Sequence, residues 1–290
     1  MSTESQRLAV RKTYKLYVGG AFPRSESGRS YQVHSASGDF LANAALGSRK
    51  DVRDAVKAAR SAVAKWSGAT AYNRGQILYR VAEMLEGRRE QFAAEVSAAE
   101  GLPPAEAAAL VDAAVDRWVW YAGWSDKLAQ VHGGANPVAG PYFNLSSPEP
   151  TGVVGIVAPA GSSLLGLVSV IAPAIVTGNT VVVLASTDRP LPAVTLGEVL
   201  ATSDLPGGVV NLLTGSVAEM APWLAAHMDV NAVDLTGVTD STLARELEVA
   251  AAENLKRVIR PSDPDWQADP GLGRMLSLLE IKTVWHPKGV

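Results

Sequence analysis

The chain has 290 residues, of which 47% are hydrophobic and 19% charged, with a formal net charge of -3 and no cysteine. This length and composition predict a globular protein of about two domains with a sizeable buried core. The charge balance gives no field that would attract a polyanion, so nucleic acid is not an expected partner. The lack of cysteine excludes disulfides, thiolate metal sites and thiol nucleophiles within this chain.

Two patterns divide the first half of the chain. Residues 14–45 alternate apolar and polar positions in short runs between Gly, Pro and Ser, which predicts a small antiparallel sheet. From Ser48 the period becomes helical: Ser48 and Asp51 have the spacing of a capping box, and helical stripes continue to about Gln130. The polar N-terminus lacks the apolar segment of a signal peptide, so we expect a cytoplasmic location. The longest apolar run, Leu164–Val176, is too short to span a membrane, and no membrane partner is expected.

A different pattern starts at Thr151. Four runs rich in β-branched residues, VVGIVAP, TVVVLAS, GVVNLLTG and AVDLTG, alternate with helical segments. This alternation predicts a parallel sheet with helices on both faces, because right-handed crossovers place them there. The predicted fold class is therefore α/β: a Rossmann-like doubly wound parallel sheet with N-terminal helices and a fifth short strand at 257–260. The alanine richness indicates a GC-rich genome, typical of a bacterial protein.

Several segments resemble the aldehyde dehydrogenase family in order and spacing. They are KLYVGGAF, RWVWYAGWSDKL, GPYFNLSSPEPTGVVGIVAP, LVSVIAPAIVTGNTVVVL, LPGGVVNLLTG, HMDVNAVDLTG and AAENLKRV. The resemblance implies an NAD(P)-binding Rossmann-type domain, a catalytic domain with a cysteine nucleophile, and a β oligomerisation arm that joins a partner subunit. In the family, the segment like AAENLKRV leads into the catalytic domain. Here it leads into RPSDPDWQADPGLG and then LLEIKTVW, which resembles the family's C-terminal strand.

The resemblance also implies a domain organisation. Residues 46–133 and 151–260 are expected to form the Rossmann-like domain, and 261–275 a linker that replaces the catalytic domain. Both chain ends, 14–45 and 276–290, are expected to build one small antiparallel β oligomerisation arm. The segment 134–150 is a candidate further contributor to that arm. The expected oligomerisation residues are Tyr17, Val18, Tyr31, Val33, Ile281, Thr283 and Trp285.

Three positions at which the family has functional side chains carry other residues here. The resemblance implies an oxyanion-binding Asn where Gly161 stands, a ribose-binding Lys where Ala185 stands, and a Ser beside the pyrophosphate where Val238 stands. We therefore expect no catalytic residue and no cofactor, with at most weak residual binding of NAD. The crevice left by these losses is expected to include Pro159, Ser162, Ser163, Gly215 and Gly237.

The serines near the crevice and the histidines give only weak support for other catalytic or metal-binding functions. Ser162 and Ser163 precede a predicted helix, so they either cap that helix or help to form an anion site. The sequence GSSLL lacks the final glycine of a serine-hydrolase nucleophile elbow. The histidines are dispersed without paired spacing, so no metal site is predicted. They are His34, His132, His227 and His286.

These patterns lead to a leading hypothesis and two alternatives. The leading hypothesis is a pseudoenzyme: a non-catalytic aldehyde dehydrogenase-like subunit that hetero-oligomerises with a full-length aldehyde dehydrogenase paralogue and stabilises or regulates it. Its basis is that the chain lacks the family's catalytic domain and catalytic side chains but retains the segments of the β oligomerisation arm. One alternative is a small-molecule or nucleotide-binding module of Rossmann type without redox chemistry. The other is an unrelated enzyme activity that uses the serines near the crevice. An uncovered arm is also expected to expose an apolar patch.

Overall fold

A five-stranded parallel sheet forms the centre of the protein, whose computed structural model describes residues 12–289. Its strands are β6 (Val153–Val157), β7 (Thr180–Leu184), β8 (Val210–Leu213), β9 (Ala232–Asp234) and β10 (Arg257–Ile259). Their order is β10-β9-β6-β7-β8, so the chain winds outward from β6 in one direction and then resumes at β9 on its other side. This confirms the predicted Rossmann-like sheet and its fifth strand. The reversal between β6 and β9 is the place where such sheets form a crevice.

Helices cover both faces of the sheet, because successive side chains of each buried strand point in opposite directions. The helices are α1 (Arg49–Ser67), α2 (Ala71–Glu86), α3 (Arg89–Glu100), α4 (Pro104–Trp124), α5 (Leu128–His132), α6 (Leu165–Val176), α7 (Leu191–Ala201), α8 (Val217–Ala226), α9 (Ser241–Ala252) and α10 (Gly273–Ser277). On one face, Val154 and Ile156 of β6 pack in a core with α2, α3, α4, α6 and α7. On the other face, Val153 and Val157 pack with α1, α8 and α9.

The predicted capping box begins α1. Ser48 Oγ accepts hydrogen bonds from the N–H groups of Lys50 and Asp51, and the Asp51 carboxylate accepts one from the Ser48 N–H. A second hydroxyl, that of Ser25, donates to Asp51 Oδ2 at 2.8 Å. The start of α1 is therefore held to the N-terminal segment as well as to its own backbone.

The N-terminal strands lie on the body of this same chain. β1 (Thr13–Tyr14), β2 (Ser30–His34) and β3 (Phe40–Ala45) form a sheet of their own in the order β1-β3-β2. Its buried side chains pack against Leu191 and Val194 of α7. Beyond β1, Tyr17 exchanges two backbone hydrogen bonds with Leu212, at 3.0 and 2.7 Å, and so covers the outer edge of β8.

In this arrangement, four of the seven expected oligomerisation residues pack against this chain itself. Tyr17 and Val33 are buried, at 1% and 3% exposure, and Val18 is half-buried in a turn with Ala21. The Tyr31 hydroxyl donates to the Thr187 carbonyl at 3.0 Å. Burial raises the pKa of Tyr31 above its ordinary range. Tyr17 and Val33 therefore serve the interior of this chain, and Val18 and Tyr31 pack partly against it. The alternation in the sequence predicts that one face of each strand is buried, but it does not show which part of the protein buries that face.

The β arm is a separate antiparallel sheet formed by β11 (Leu279–Pro287), β5 (Tyr142–Pro150) and β4 (Gly134–Asn136), in that order. β11 and β5 pair over nine residues, from Leu279 opposite Pro150 to Pro287 opposite Tyr142. The C-terminal strand therefore shares its sheet with 134–150 and not with the N-terminal strands. We call these three strands the β arm.

The segment between β10 and β11 is packed onto the body, although its composition predicts a simple linker. We call residues 261–278 the strap. The guanidinium of Arg117, on α4, donates to the carbonyls of Trp266 at 2.7 Å and Ala268 at 3.0 Å. Met275 and Leu278 are fully buried in the main core. The strap thus closes the edge of the domain beside α4 and α6.

Candidate functional site

A cleft of about 280 Å³ opens at the carboxyl end of the parallel sheet, next to the reversal between β6 and β9. Loops after β6, β7 and β9 and the first turns of α8 and α9 line it. Gly237 and Val238 lie in its wall, and Pro159, Gly161, Ser162, Ser163, Ala185 and Gly215 lie on the loops and strand ends around it. The predicted crevice residues therefore gather at one edge of the sheet.

The serines after β6 are committed to local hydrogen bonds. Ser162 Oγ accepts the N–H of Gly166 at 2.8 Å, which caps the start of α6. Ser163 is 3% exposed, and both its N–H and its hydroxyl donate to Glu100 Oε1, at 2.7 and 2.6 Å. The Gly161 carbonyl accepts from Arg189 Nη1 at 2.8 Å. Helix capping thus accounts for Ser162, and Ser163 is buried against a carboxylate at the end of α3.

The glycine at position 237 is explained by a close approach of the two segments that follow β6 and β9. A Cβ there would lie 1.9 Å from the Ala158 carbonyl oxygen, so only glycine fits. Gly215 adopts a φ of 132°, and its carbonyl accepts from Thr187 Oγ1 at 2.9 Å. Both glycines bring backbone close to the cleft, as the sequence pattern indicates.

The polar groups at the cleft do not fit the pyrophosphate of a dinucleotide. Ala185 is 1% exposed and offers no side-chain hydrogen bond, and the Val238 side chain is apolar. Asp240 Oδ1 accepts from the N–H groups of Thr242 and Leu243, at 2.8 and 3.4 Å, so a carboxylate already caps α9. Asp188 adds a second carboxylate. None of the described residues that line the cleft is lysine or arginine, although Arg189 reaches the nearby Gly161 carbonyl, so the carboxylates of the lining itself oppose a phosphate anion.

The β arm presents apolar side chains on both of its faces. Phe143 and Trp285 are each 56% exposed and Ile281 is 47% exposed. Alternate residues of a strand point to opposite faces, so Ile281, Thr283 and Trp285 share one face and Val284 lies on the other. Three-stranded sheets normally bury at least one face, which makes this arrangement a candidate contact surface.

Polar contacts keep the β arm ordered. Thr283 Oγ1 lies 2.8 Å from Ser146 Oγ, across the pair of strands. Arg257 on β10 forms a two-pronged pair with Glu280, at 2.6 and 2.7 Å, and so fixes the base of β11 to the parallel sheet. Three of the seven predicted oligomerisation residues, Ile281, Thr283 and Trp285, therefore lie exposed on an anchored arm.

Sequence reasoning missed the charged residues that hold the strap. Asp234, at the end of β9, is fully buried, and its carboxylate pairs with Arg274 and accepts from the Thr236 N–H at 3.0 Å. Burial lowers the pKa of Arg117. An aspartate inside the run AVDLTG was the one available signal, because a carboxylate in a buried strand needs a partner. The partner itself lies 40 residues further along the chain.

None of the helices in residues 12–289 is long and apolar enough to cross a membrane. Within the same residues, no group of three or more His, Cys, Asp or Glu side chains is arranged to hold a metal ion.

Comparisons with known proteins identify the family. The family model described as "Aldehyde dehydrogenase family" matches residues 22–260. Retinal dehydrogenase 2 of Gallus gallus is 33% identical over 252 residues, which cover 85% of this chain and 48% of the relative. Aldehyde dehydrogenase family 2 member B4, mitochondrial, of Arabidopsis thaliana is 34% identical, with 84% and 45% covered. The solved NAD+ complex of an aldehyde dehydrogenase from Bacillus cereus superposes with a TM-score of 0.80 at 27% identity, covering 85% of this chain and 50% of the other.

The chain thus spans about half the length of the relatives that it matches. The family match includes the whole parallel sheet, the helices on both faces and strands β4 and β5 of the β arm, while β11 lies outside the matched residues. The common fold, the order of the matching segments and the family match agree. This chain belongs to the aldehyde dehydrogenase family.

Proposed function

We propose that the chain is a non-catalytic subunit that binds a full-length aldehyde dehydrogenase paralogue and stabilises or regulates it in the bacterial cytoplasm. The observation that carries the proposal is the β arm, an anchored sheet with exposed apolar side chains on both faces. An isolated sheet of this kind gains stability when a partner covers it. Strand addition to an exposed sheet edge is a common mode of recognition.

The chemistry at the cleft supports a non-catalytic role. The 290 residues contain no cysteine, so the thiolate that the family mechanism requires is absent from this chain. Position 161 carries no amide side chain that could hold an oxyanion. The carboxylates of Asp188 and Asp240 oppose a cofactor phosphate. Oxidoreductase activity in the proposed complex then belongs to the partner.

The proposed partner is a full-length paralogue for a structural reason. The relatives extend over about twice the length that this chain covers, and the uncovered half includes a catalytic domain in the family. In residues 12–289, which the structure describes, the arm contacts no such domain. A paralogue that retains the domain supplies a matching surface.

Co-expression with an affinity-tagged full-length aldehyde dehydrogenase from the same genome tests the proposal. We expect the chain to co-purify in a fixed ratio. Trp285→Lys should abolish co-purification, because it places a charge on the exposed apolar face of the arm. The matched control is Trp223→Lys on α8, whose side chain is 51% exposed but lies away from the arm. Equal recovery of both variants would refute the arm as the binding surface.

A second candidate function rests on the cleft itself. Its walls include the apolar side chains of Val217 and Leu243, and the exposed Asp188 carboxylate can accept hydrogen bonds from ligand hydroxyls. A cleft of about 280 Å³ is near the lower end of the size range of small-molecule sites. This supports a binding module for a small molecule or nucleotide without redox chemistry.

Thermal unfolding with adenosine, NAD, NADP, CoA and an acyl-CoA tests the second candidate. Saturable stabilisation at micromolar ligand, lost in Asp188→Ala, would support it. No change in Tm with any of these ligands would refute it and would agree with a subunit that has no cofactor.

A further inference from the structure

The outer edge of β11 is an unpaired strand edge of nine residues. In the part of the chain that the structure describes, β11 pairs only with β5, so its other side has no neighbouring strand. Exposed edges of this length pair readily with another strand, and proteins usually protect them with charges, prolines or bulges. Here the centre of the edge carries Ile281, Thr283 and Trp285.

The hydrogen-bonding pattern between β11 and β5 shows which backbone groups of β11 point away from β5. Ile281 lies opposite Pro148 and Leu279 opposite Pro150, and neither proline has an N–H to give. Just beyond the two ends of β11, the Leu278 carbonyl accepts a hydrogen bond from the Thr151 N–H, and the Lys288 N–H donates one to the Pro141 carbonyl. Both partners continue β5, so residues 278 and 288 face β5. Because bonding alternates along an antiparallel strand, even-numbered residues face β5. The N–H and C=O groups of residues 279, 281, 283 and 285 therefore face the free edge.

The side chains of β11 are complementary to a reversed copy of the same strand. When two copies run antiparallel about a twofold axis at Thr283, Thr283 faces its own copy and Ile281 faces Trp285. Glu280 then faces His286, and Lys282 faces Val284. No like charges are opposed, and aromatic residues pair well with β-branched ones across strands. The outward groups of 281, 283 and 285 form the hydrogen-bonded positions of this register.

Other registers are less favourable. With an axis at Lys282 or Val284, the contact would need the backbone N–H and C=O groups of even-numbered residues, and these already bond to β5. An axis at Trp285 opposes Lys282 to Lys288 and shortens the overlap to residues 283–287, and an axis at Ile281 shortens it to 279–283. Only the axis at Thr283 uses all nine residues of β11.

We infer that, in the absence of a larger partner, two copies of this chain join through β11 as an antiparallel pair centred on Thr283. The joined arms form one sheet of six strands across an isologous twofold contact. This inference goes beyond the proposed function because it concerns the chain by itself. It also explains how the exposed β11 edge avoids open-ended aggregation, since the twofold pairing covers the β11 edge of each copy.

Light scattering on the purified chain tests the pairing. We expect a mass twice the 30.4 kDa of one chain. Thr283→Pro should shift the mass to that of one chain, because it removes an outward N–H and leaves the bonds to β5 in place. Thr283→Val is the matched control: it also loses the hydroxyl contact with Ser146, but it keeps the N–H and should remain a dimer. Wild-type chain that is monomeric at tens of micromolar would overturn the inference.

Cysteine crosslinking tests the register without background, because the chain has no cysteine. In Thr283→Cys the two introduced thiols face each other, with Cα atoms about 5.5 Å apart, within reach of a disulfide. In Ile281→Cys they are separated by about four residues along the strands, or roughly 13 Å. Oxidation should crosslink the first variant and not the second. Crosslinking of Ile281→Cys at an equal or greater yield would overturn the Thr283 register.

The result separates this inference from the proposed function. A chain that is monomeric alone but co-purifies with a paralogue would refute the pairing and leave the proposed function standing. A chain that dimerises through Thr283 and ignores every paralogue would uphold the pairing and refute the proposed function.

Discussion

Asp234 is a fully buried carboxylate whose partners come from both the sheet and the strap. It pairs with Arg274, whose side chain is 15% exposed and whose Nη1 also donates to Thr236 Oγ1 at 3.0 Å. Burying two charges is costly unless they remain paired. The pair therefore fixes the position of α10 more than it adds net stability.

A double-mutant cycle on this pair measures that role. Asp234→Ala alone should lower the free energy of unfolding by about 3–5 kcal/mol, because it leaves Arg274 buried without its counter-charge. The variant that carries Asp234→Ala and Arg274→Ala together should be less destabilised than the sum of the two single variants, with a coupling of about 0.5–3 kcal/mol. The exposed pair Lys282–Glu149 serves as control, and its coupling should be at most about 1 kcal/mol. Additive effects at Asp234 and Arg274 would contradict this account.

Glu95 gives the protein a pH dependence of stability. Its Oε1 accepts from Thr195 Oγ1 at 2.9 Å and from the Tyr14 hydroxyl at 3.3 Å, while its Oε2 is buried and lacks a partner among the described residues. Burial raises the pKa of this carboxyl, although hydrogen bonds from Thr195 and Gln91 oppose the shift. The folded state thus binds the proton more tightly than the unfolded state, and stability falls as pH rises above the ordinary glutamate pKa.

Glu95→Gln should remove this dependence. We expect the variant to be more stable than wild type at pH 8, where the buried carboxylate is charged, and nearly equal to it at pH 4.5. Urea unfolding at both pH values measures the difference. An equal effect at the two pH values would show that Glu95 acts through packing and not through its charge.

At the scale of elements, one side chain of α4 holds the stretch of the strap around Trp266 and Ala268. Arg117 donates to two strap carbonyls and to Ser169 Oγ on α6, at 3.1 Å. Hydrogen bonds from a charged donor contribute about 1.5–3 kcal/mol each. The strap is therefore part of the folded domain. Its many proline and aspartate residues explain why it has little regular secondary structure, but they do not make it a free linker.

Replacing Arg117 with Met should release the strap. We expect Arg117→Met to lower the free energy of unfolding by about 3 kcal/mol and to expose residues 261–272 to limited proteolysis. Arg89→Met, which removes an exposed pair with Asp112 on the same helical layer, should change neither readout appreciably. Protease resistance of the strap in Arg117→Met would mean that Met275 and Leu278 hold it without the arginine.

The elements also show how far sequence reasoning reaches. The strands of the parallel sheet, the fifth strand and the Ser48–Asp51 capping box were predictable, because hydrophobic period and capping chemistry are local. The position of the N-terminal sheet was not, because Tyr17 pairs with Leu212, far along the chain. At the cleft, the structure brings Gly215 and Gly237, together with Gly161, Ala185 and Val238, to the carboxyl end of the parallel sheet. The sequence could not reveal that Glu100 binds Ser163, since that contact depends on where α3 ends.

At the scale of the whole molecule, the chain joins a folded Rossmann-like domain to an exposed β arm. The cleft at the carboxyl end of the sheet is present, and the carboxylates of Asp188 and Asp240 line it. In a complex with a full-length paralogue, all aldehyde oxidation should depend on the partner. Replacing the partner's nucleophilic cysteine with serine should abolish activity of the complex without dissociating it. Residual NAD reduction in that complex would contradict a non-catalytic role.

The most direct test of the central claim is native mass spectrometry of the wild-type chain co-expressed with each full-length aldehyde dehydrogenase of its own genome. We expect a defined complex with one paralogue, whose mass exceeds that of the paralogue assembly by whole multiples of 30.4 kDa. Detection of this chain only by itself, with every paralogue present and correctly folded, would contradict the claim.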